Sequence, residues 1–125
     1  MRVALVAFSV RGAMGQYLEM LTTELSSRVE VHLFVPKHFE ATGLGKAVLH
    51  HFVTGTKRAE VLARLMNPIA ALAVWRQIRA THPDLVHLFN GEGYPWSLLW
   101  ARWACCDRIP LVVTLHDPEP HPGNM

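Results

Sequence analysis

The run Arg2-Val-Ala-Leu-Val-Ala-Phe8 is apolar beyond its first residue, with no polar side chain at alternate positions. A strand with one wet face alternates, whereas an unbroken apolar run is buried on both faces, and such strands belong to parallel sheets covered by helices. The next segments fit such a sheet. Ser9-Val-Arg-Gly-Ala-Met-Gly15 reads as a loop, and Gln16 to Ser26 carries Tyr17, Leu18, Leu21 and Leu25 at helical spacing. Val29-Glu-Val-His-Leu-Phe-Val35 is a second strand, closed by Pro36. Strand, glycine loop, helix and strand make a βαβ unit with a right-handed crossover.

The rest of the chain repeats the alternation. Phe39 to Gly45 reads as a loop or short irregular helix, and Val48-Leu-His-His-Phe-Val53 as a third strand. Thr56 is positioned to cap a helix running to about Met66, and Asn67-Pro68 supplies a cap and first-turn proline for another running to about Ala80. Asp84-Leu-Val-His-Leu-Phe89 is a fourth strand, followed by the polar loop Asn90-Gly-Glu-Gly93. Pro95 opens a helix in which Trp96, Leu99, Trp100 and Trp103 share one face, a spacing that favours core over a sugar-stacking platform. Pro110 to Leu115 reads as a fifth strand buried on both faces. The expected architecture is α/β: a Rossmann-like, doubly wound parallel sheet in a single domain spanning residues 1–125.

With 125 residues, half of them apolar, the chain can bury a real core and is poorly suited to disorder. The first apolar run is short, is soon interrupted by Arg11 and lacks a small-residue cleavage site, so it reads as a strand rather than a signal peptide. The run Pro68 to Trp75 is too short to span a bilayer, and a cytoplasmic location is expected. Adjacent Cys105 and Cys106 are expected as free thiols in a reducing compartment. The formal charge of +2 is uneven: Lys37 to Arg79 holds seven Lys/Arg against Glu40 and Glu60. Lys57, Arg58, Arg64, Arg76 and Arg79 are therefore either a solvated helix face or a patch for an anionic partner, such as a membrane surface.

The chemistry concentrates after strand ends. His116 and Asp117 arrive where the fifth strand leaves the sheet, and Pro118, Pro120 and Pro122 stiffen the loop beyond them. In open α/β sheets ligands bind outside the carboxyl ends of the strands, so this pair faces the ligand crevice; the plainer reading is that both satisfy loop backbone groups. Gly12, Ala13, Met14 and Gly15 precede a helix, where backbone N–H groups and the dipole favour phosphate, although tight turns need glycine anyway. The pattern is not GxGxxG, and the second strand ends Val35-Pro36-Lys37 without an acid for a ribose, which disfavours NAD. No GxxxxGK[ST], GxSxG or CxxC is present. His50 and His51 lie on opposite strand faces, and His116, Asp117, Glu119 and His121 lack standard ligand spacing, so no metal is expected.

A first strand followed by a glycine loop, the strand Asp84-Leu-Val-His-Leu-Phe-Asn90 and the strand end Leu111-Val-Val-Thr-Leu-His-Asp-Pro118 resemble the N-terminal domain of GT-B glycosyltransferases. More narrowly they resemble the retaining, group-one branch, of the family 4-like type. The resemblance implies transfer of a sugar from a nucleotide-sugar to a carbohydrate or lipid-linked acceptor, with no obligatory metal or other cofactor. It implies that residues Gly12 to Gly15 approach the donor diphosphate or sugar. It implies that His116, supported by Asp117, faces the donor sugar, and that Asn90, Gly91 and Glu92 line the acceptor side. Group-one enzymes that act on lipid-linked or membrane acceptors often carry a basic, partly apolar helix in this region. The resemblance is therefore compatible with peripheral contact of Lys57, Arg58, Arg64, Arg76 and Arg79 with the inner face of the membrane, and equally with a cytosolic acceptor and an ordinary solvated helix.

The group-one pattern also has a second domain carrying the nucleotide pocket and an E-x7-E motif. This chain reaches Met125 without either, so it is expected to be an incomplete acceptor-side domain, inactive until completed by a further domain or subunit. Nucleic acid is not an expected partner. A non-catalytic Rossmann-like module for a nucleotide or a protein partner is the alternative. A flavodoxin-like regulatory domain ranks lower, lacking a phosphorylatable aspartate after an early strand.

Overall fold

The computed structural model describes residues 1–8, 13–37, 39, 44–52, 57–89 and 95–114, without the side chains of 13, 14 and 58. The elements run β1 (Arg2–Val6), α1 (Ala13–Ser26), β2 (Glu30–Pro36), β3 (Val48–Phe52), α2 (Arg58–Leu65), α3 (Pro68–Ala80), β4 (Leu85–Leu88), α4 (Pro95–Asp107) and β5 (Leu111–Val113). The strands form one parallel sheet in the order β3-β2-β1-β4-β5. The Rossmann-like α/β expectation is met. This order also rejects the flavodoxin-like alternative, in which the first strand lies between the second and third.

Alternation along each strand sorts the core into two layers. Ala4, Val6, Phe34, Phe52, Val86 and Leu88 point to one face and pack with Trp75, Ile78, Trp96 and Trp100 of α3 and α4. Leu5, Val31, Leu33 and Val35 point to the other face and pack with Leu18 of α1. Trp96 and Trp100 are core, as their spacing predicts, with Trp103 partly buried against them, and the indole N–H groups of Trp75, Trp96 and Trp100 tie the helical layer together. Trp100 Nε1 donates to the Ala71 carbonyl at 3.0 Å, Trp96 Nε1 to that of Arg64 at 3.1 Å, and Trp75 Nε1 to Asp107 Oδ2 at 3.0 Å.

Helix boundaries follow local chemistry. Asn67 Oδ1 accepts from Ile69 N at 2.9 Å, and Pro68 takes the first helical position of α3, as expected. Helix α1 begins at Ala13, earlier than the Gln16 that periodicity marks, because the first turn needs no apolar side chain. Helix α2 begins at Arg58 with Lys57 at its N-cap, and Lys57 N donates to Glu60 Oε2 at 3.4 Å; Thr56 lies outside the described residues. Of the segment Phe39 to Gly45, residues 40–43 lie outside the described residues, while Phe39 is buried. Helices α3 and α4 both end without glycine, leaving His82 and Arg108 in the left-handed region at φ 53° and 58°.

One expectation fails. The fifth strand is not buried on both faces: Val112 and Val113 are 43% and 41% exposed. β5 pairs with β4 and is an edge of the sheet described here, so its unbroken apolar composition does not report two covered faces.

Candidate active site at the carboxyl edge of the sheet

Parallel pairing brings the ends of β1, β4 and β5 to one edge. Val6 is in register with Leu88, and Leu88 with Val113. The last rungs are Phe89 N to the Val6 carbonyl at 2.8 Å and Thr114 N to the Leu88 carbonyl at 3.0 Å. Strand order reverses between β1 and β4. From β1 the chain continues to α1 on one face, and from β4 to α4 on the other, and in open α/β sheets such a reversal of strand order is where ligands bind. Residues 9–12 follow β1, residues 90–94 follow β4 and residues 115–125 follow β5.

Gly12, Asn90, Gly91, Glu92, His116 and Asp117 lie outside the described residues, as do Glu119 and His121. The described residues flanking them are on that shared edge. Ala13, Met14 and Gly15 open α1, with Gly15 buried, and no acidic residue occupies the first turn. The positive end of the α1 dipole is therefore not offset by its own side chains.

The edge is lined by groups that periodicity does not reveal. Tyr17 of α1 stacks on Phe89 beyond β4, with ring centroids 5.5 Å apart. On the opposite face Phe8, just past β1, stacks on Trp100 at 5.3 Å and meets Phe52 and Trp96 edge-on at 6.2 Å. His87 Nε2 lies 2.6 Å from Thr114 Oγ1, joining β4 to the end of β5. These pairs depend on strand register, for which spacing along the chain carries no signal.

The basic residues do not form one patch. Lys57 and Arg64 are exposed on the α2 side, near the carboxyl edge, and Arg58 opens α2 beside them. Arg76 and Arg79 sit in the second half of α3, whose end meets the amino edge through Arg2 Nη1 and the Thr81 carbonyl, 2.6 Å apart. There Arg79 Nε pairs with Asp107 Oδ2 at 3.3 Å, and both arginines line a groove of about 470 Å³ with His82 and Ile109. Basic side chains in the last turn of a helix complement its dipole, which accounts for Arg79.

His50 and His51 face opposite ways: the His50 ring stacks on Phe34 at 4.6 Å, while His51 Nε2 lies 3.3 Å from the Phe39 carbonyl. Among the described residues no group of three or more His, Cys, Asp or Glu is placed to hold a metal ion. Cys105 and Cys106 are unbridged and exposed.

No curated protein and no solved structure matches the chain significantly. The model of Glycosyltransferase Family 4 matches residues 14–124, from the first turn of α1 through His116 and Asp117. With most of its length matched by that model and its strands in a Rossmann-like parallel sheet, the chain belongs to glycosyltransferase family 4.

Proposed function

We propose that this domain is the acceptor-side half of a retaining glycosyltransferase that moves a sugar from a nucleotide-sugar to a carbohydrate or lipid-linked acceptor. The observation that carries the reading is that β1, β4 and β5 end side by side on one edge, at the reversal of strand order. The start of α1, with Gly12, Ala13, Met14 and Gly15, offers backbone N–H groups and an unopposed dipole to the donor diphosphate. Diphosphate charge met by backbone dipoles and basic side chains requires no metal or other cofactor. His116 hydrogen-bonds the donor sugar near its reaction centre, Asp117 supports it, and Asn90, Gly91 and Glu92 form the acceptor wall. A donor aimed at developing charge in a site closed to water is worth far more than one in bulk solvent. The nucleotide belongs to a second domain or subunit facing this edge, and this domain alone does not turn over. The reaction is assigned to the cytoplasm.

The test supplies the domain with its nucleotide-binding partner and follows sugar transfer from a panel of nucleotide-sugars, with the product anomer read by NMR. The expected result is a retained anomeric configuration and a fall in kcat of about 100-fold or more for His116→Ala, at unchanged fold. An inverted product would remove the retaining assignment. Transfer indifferent to His116→Ala would remove its role. Nucleotide binding without transfer to any acceptor would leave a non-catalytic module.

A further inference from the structure

At the amino edge of the sheet, the ends of α3 and α4 flank the groove of about 470 Å³ that Arg76 and Arg79 line with His82, Pro83, Asp107 and Ile109. Sites for small organic molecules commonly measure about 300–1,000 Å³. Arg2 Nη1, on the first residue of β1, donates to the Thr81 carbonyl at 2.6 Å. The groove therefore lies at the end of the sheet opposite the candidate active site.

Contacts within the fold already position its side chains. Asp107 Oδ2 accepts from the indole of buried Trp75 at 3.0 Å and meets Arg79 Nε at 3.3 Å. That carboxylate orients the Arg79 guanidinium, whose Nη groups face no acid among the described residues. Arg76, three residues earlier on the same side of α3, pairs with no acid among the described residues. His82 follows α3 at φ 53°, a conformation that glycine adopts at less cost. It is held there: His82 N donates to the Arg79 carbonyl at 2.9 Å, and Thr81 Oγ1 to that of Ile78 at 2.7 Å. An imidazole thus lines the groove from a position where glycine would be more stable.

The helix dipole does not account for all of this charge. Arg79 lies in the last turn of α3 and complements its negative end, but that effect fades within a turn and leaves Arg76 unexplained. Among the described residues lining the groove, two guanidiniums face one carboxylate. The surplus selects an anion, and the volume beside Pro83 and Ile109 leaves room for an organic part. Arg76, Arg79 and His82 approach from three positions. A tetrahedral phosphate offers an oxygen to each, whereas a planar carboxylate has only two.

We propose that this groove binds a small phosphate monoester. Arg76 and Arg79 hold two phosphate oxygens, the His82 imidazole N–H meets a third, and the organic part lies against Pro83 and Ile109. The site stands apart from the catalytic edge and does not rest on the transferase reading.

The experiment is titration of the ¹⁵N-labelled full chain with phenyl phosphate, followed by amide NMR, with inorganic phosphate and benzoate as parallel probes. Saturable shifts are expected at the amides of Arg79, Thr81, His82 and Ile109, and phenyl phosphate should bind the tightest of the three. Arg76→Gln should raise its Kd about tenfold while the rest of the spectrum is unchanged. His82→Gly should weaken binding yet raise the urea midpoint, a combination that a purely structural role for His82 does not produce. Arg28→Gln, beyond α1 on the other face of the sheet, should leave the Kd unaltered. Shifts confined to the start of α1, or Arg76→Gln binding like the parent, overturn the proposal. So does benzoate binding as tightly as phenyl phosphate, which would make the groove a carboxylate site. The absence of saturable shifts at the groove with phenyl phosphate overturns it outright.

Discussion

Across β4 and β5, His87 Nε2 and Thr114 Oγ1 lie 2.6 Å apart, two residues before His116 in the chain. Thr114 N also donates to the Leu88 carbonyl at 3.0 Å, so backbone and side chain together fix where the fifth strand leaves the sheet. His87 is partly buried, and a hydrogen bond there contributes about 1 kcal/mol. Thr114→Val keeps the shape and removes the hydroxyl. The expected outcome is a loss of about 1 kcal/mol in urea unfolding. On the proposed role of His116, kcat measured with the nucleotide-binding partner supplied should fall more than KM rises, because a misplaced group of that kind is felt mainly in the transition state.

Trp100 joins the α3–α4 layer to the sheet, fully buried, with its indole N–H on the Ala71 carbonyl. Trp100→Ala should cost about 3–5 kcal/mol by creating a large cavity. Trp100→Phe keeps part of the packing against Phe8 and Trp96 and should cost about 1–3 kcal/mol. Equilibrium denaturation of both variants checks the order as well as the size.

On the β2–β3 side, a polar chain runs from Arg2 Nε to Glu30 Oε2 (3.0 Å), Glu30 Oε1 to His32 Nε2 (3.1 Å) and His32 Nδ1 to His50 Nε2 (2.9 Å). The His32 hydrogen bond first, then that from Arg2, holds the Glu30 carboxyl below its usual range. Burial first, then the charges of His32 and His51, pushes His50 below the usual histidine range. The facing histidine nitrogens share one hydrogen-bond proton, and protonating both rings sets two N–H groups against each other. Both shifts have the same consequence, since the unfolded chain binds more protons than the folded one below each ordinary pKa. Stability should therefore fall as pH drops from the ordinary histidine range toward the lowered His50 value. It should fall again as pH passes through the ordinary carboxylate range toward the lowered Glu30 value. Thermal unfolding across pH should show both declines, and His50→Gln should flatten the first while leaving the second.

Two left-handed positions give opposite signs. Gly45 has φ +65°, and a Cβ there would stand 2.5 Å from Ser26 Oγ, which accepts from Lys46 N at 3.2 Å. Gly45→Ala should destabilise by about 1–2 kcal/mol or more, the left-handed penalty plus displacement of Ser26. Arg108 occupies a comparable conformation beyond α4 with a side chain that glycine would not carry. Arg108→Gly should stabilise by up to about 1 kcal/mol, and a matched pair of urea titrations reads both.

Much of the fold was legible because its signals are local. The unbroken run of β1, the helical spacing of Leu18, Leu21 and Leu25, and the Asn67-Pro68 cap each encode an element within a few residues. The apolar run of β5 was legible as a strand but misleading about burial. Composition reports what a strand tolerates, whereas its place at an edge depends on which neighbours pair with it. The basic middle segment was visible as charge, but not its division between opposite edges of the sheet, because that follows from the path of α3 across the face.

The sequence by itself determined the alternation of strands and helices, the tryptophan face of α4 and the polar segments after β4 and β5, all properties of short windows governed by periodicity and backbone preference. Tertiary structure alone decided the strand order, and with it the reversal between β1 and β4 that sets the ends of these two strands side by side. It also decided the pairing of His87 with Thr114, the stacking of Tyr17 on Phe89 and the outward turn of Leu62, Met66 and Ile69. Those are contacts between residues distant in the chain, or exposures left over when other side chains take the core. They exist only once long-range pairing has fixed which surfaces are filled.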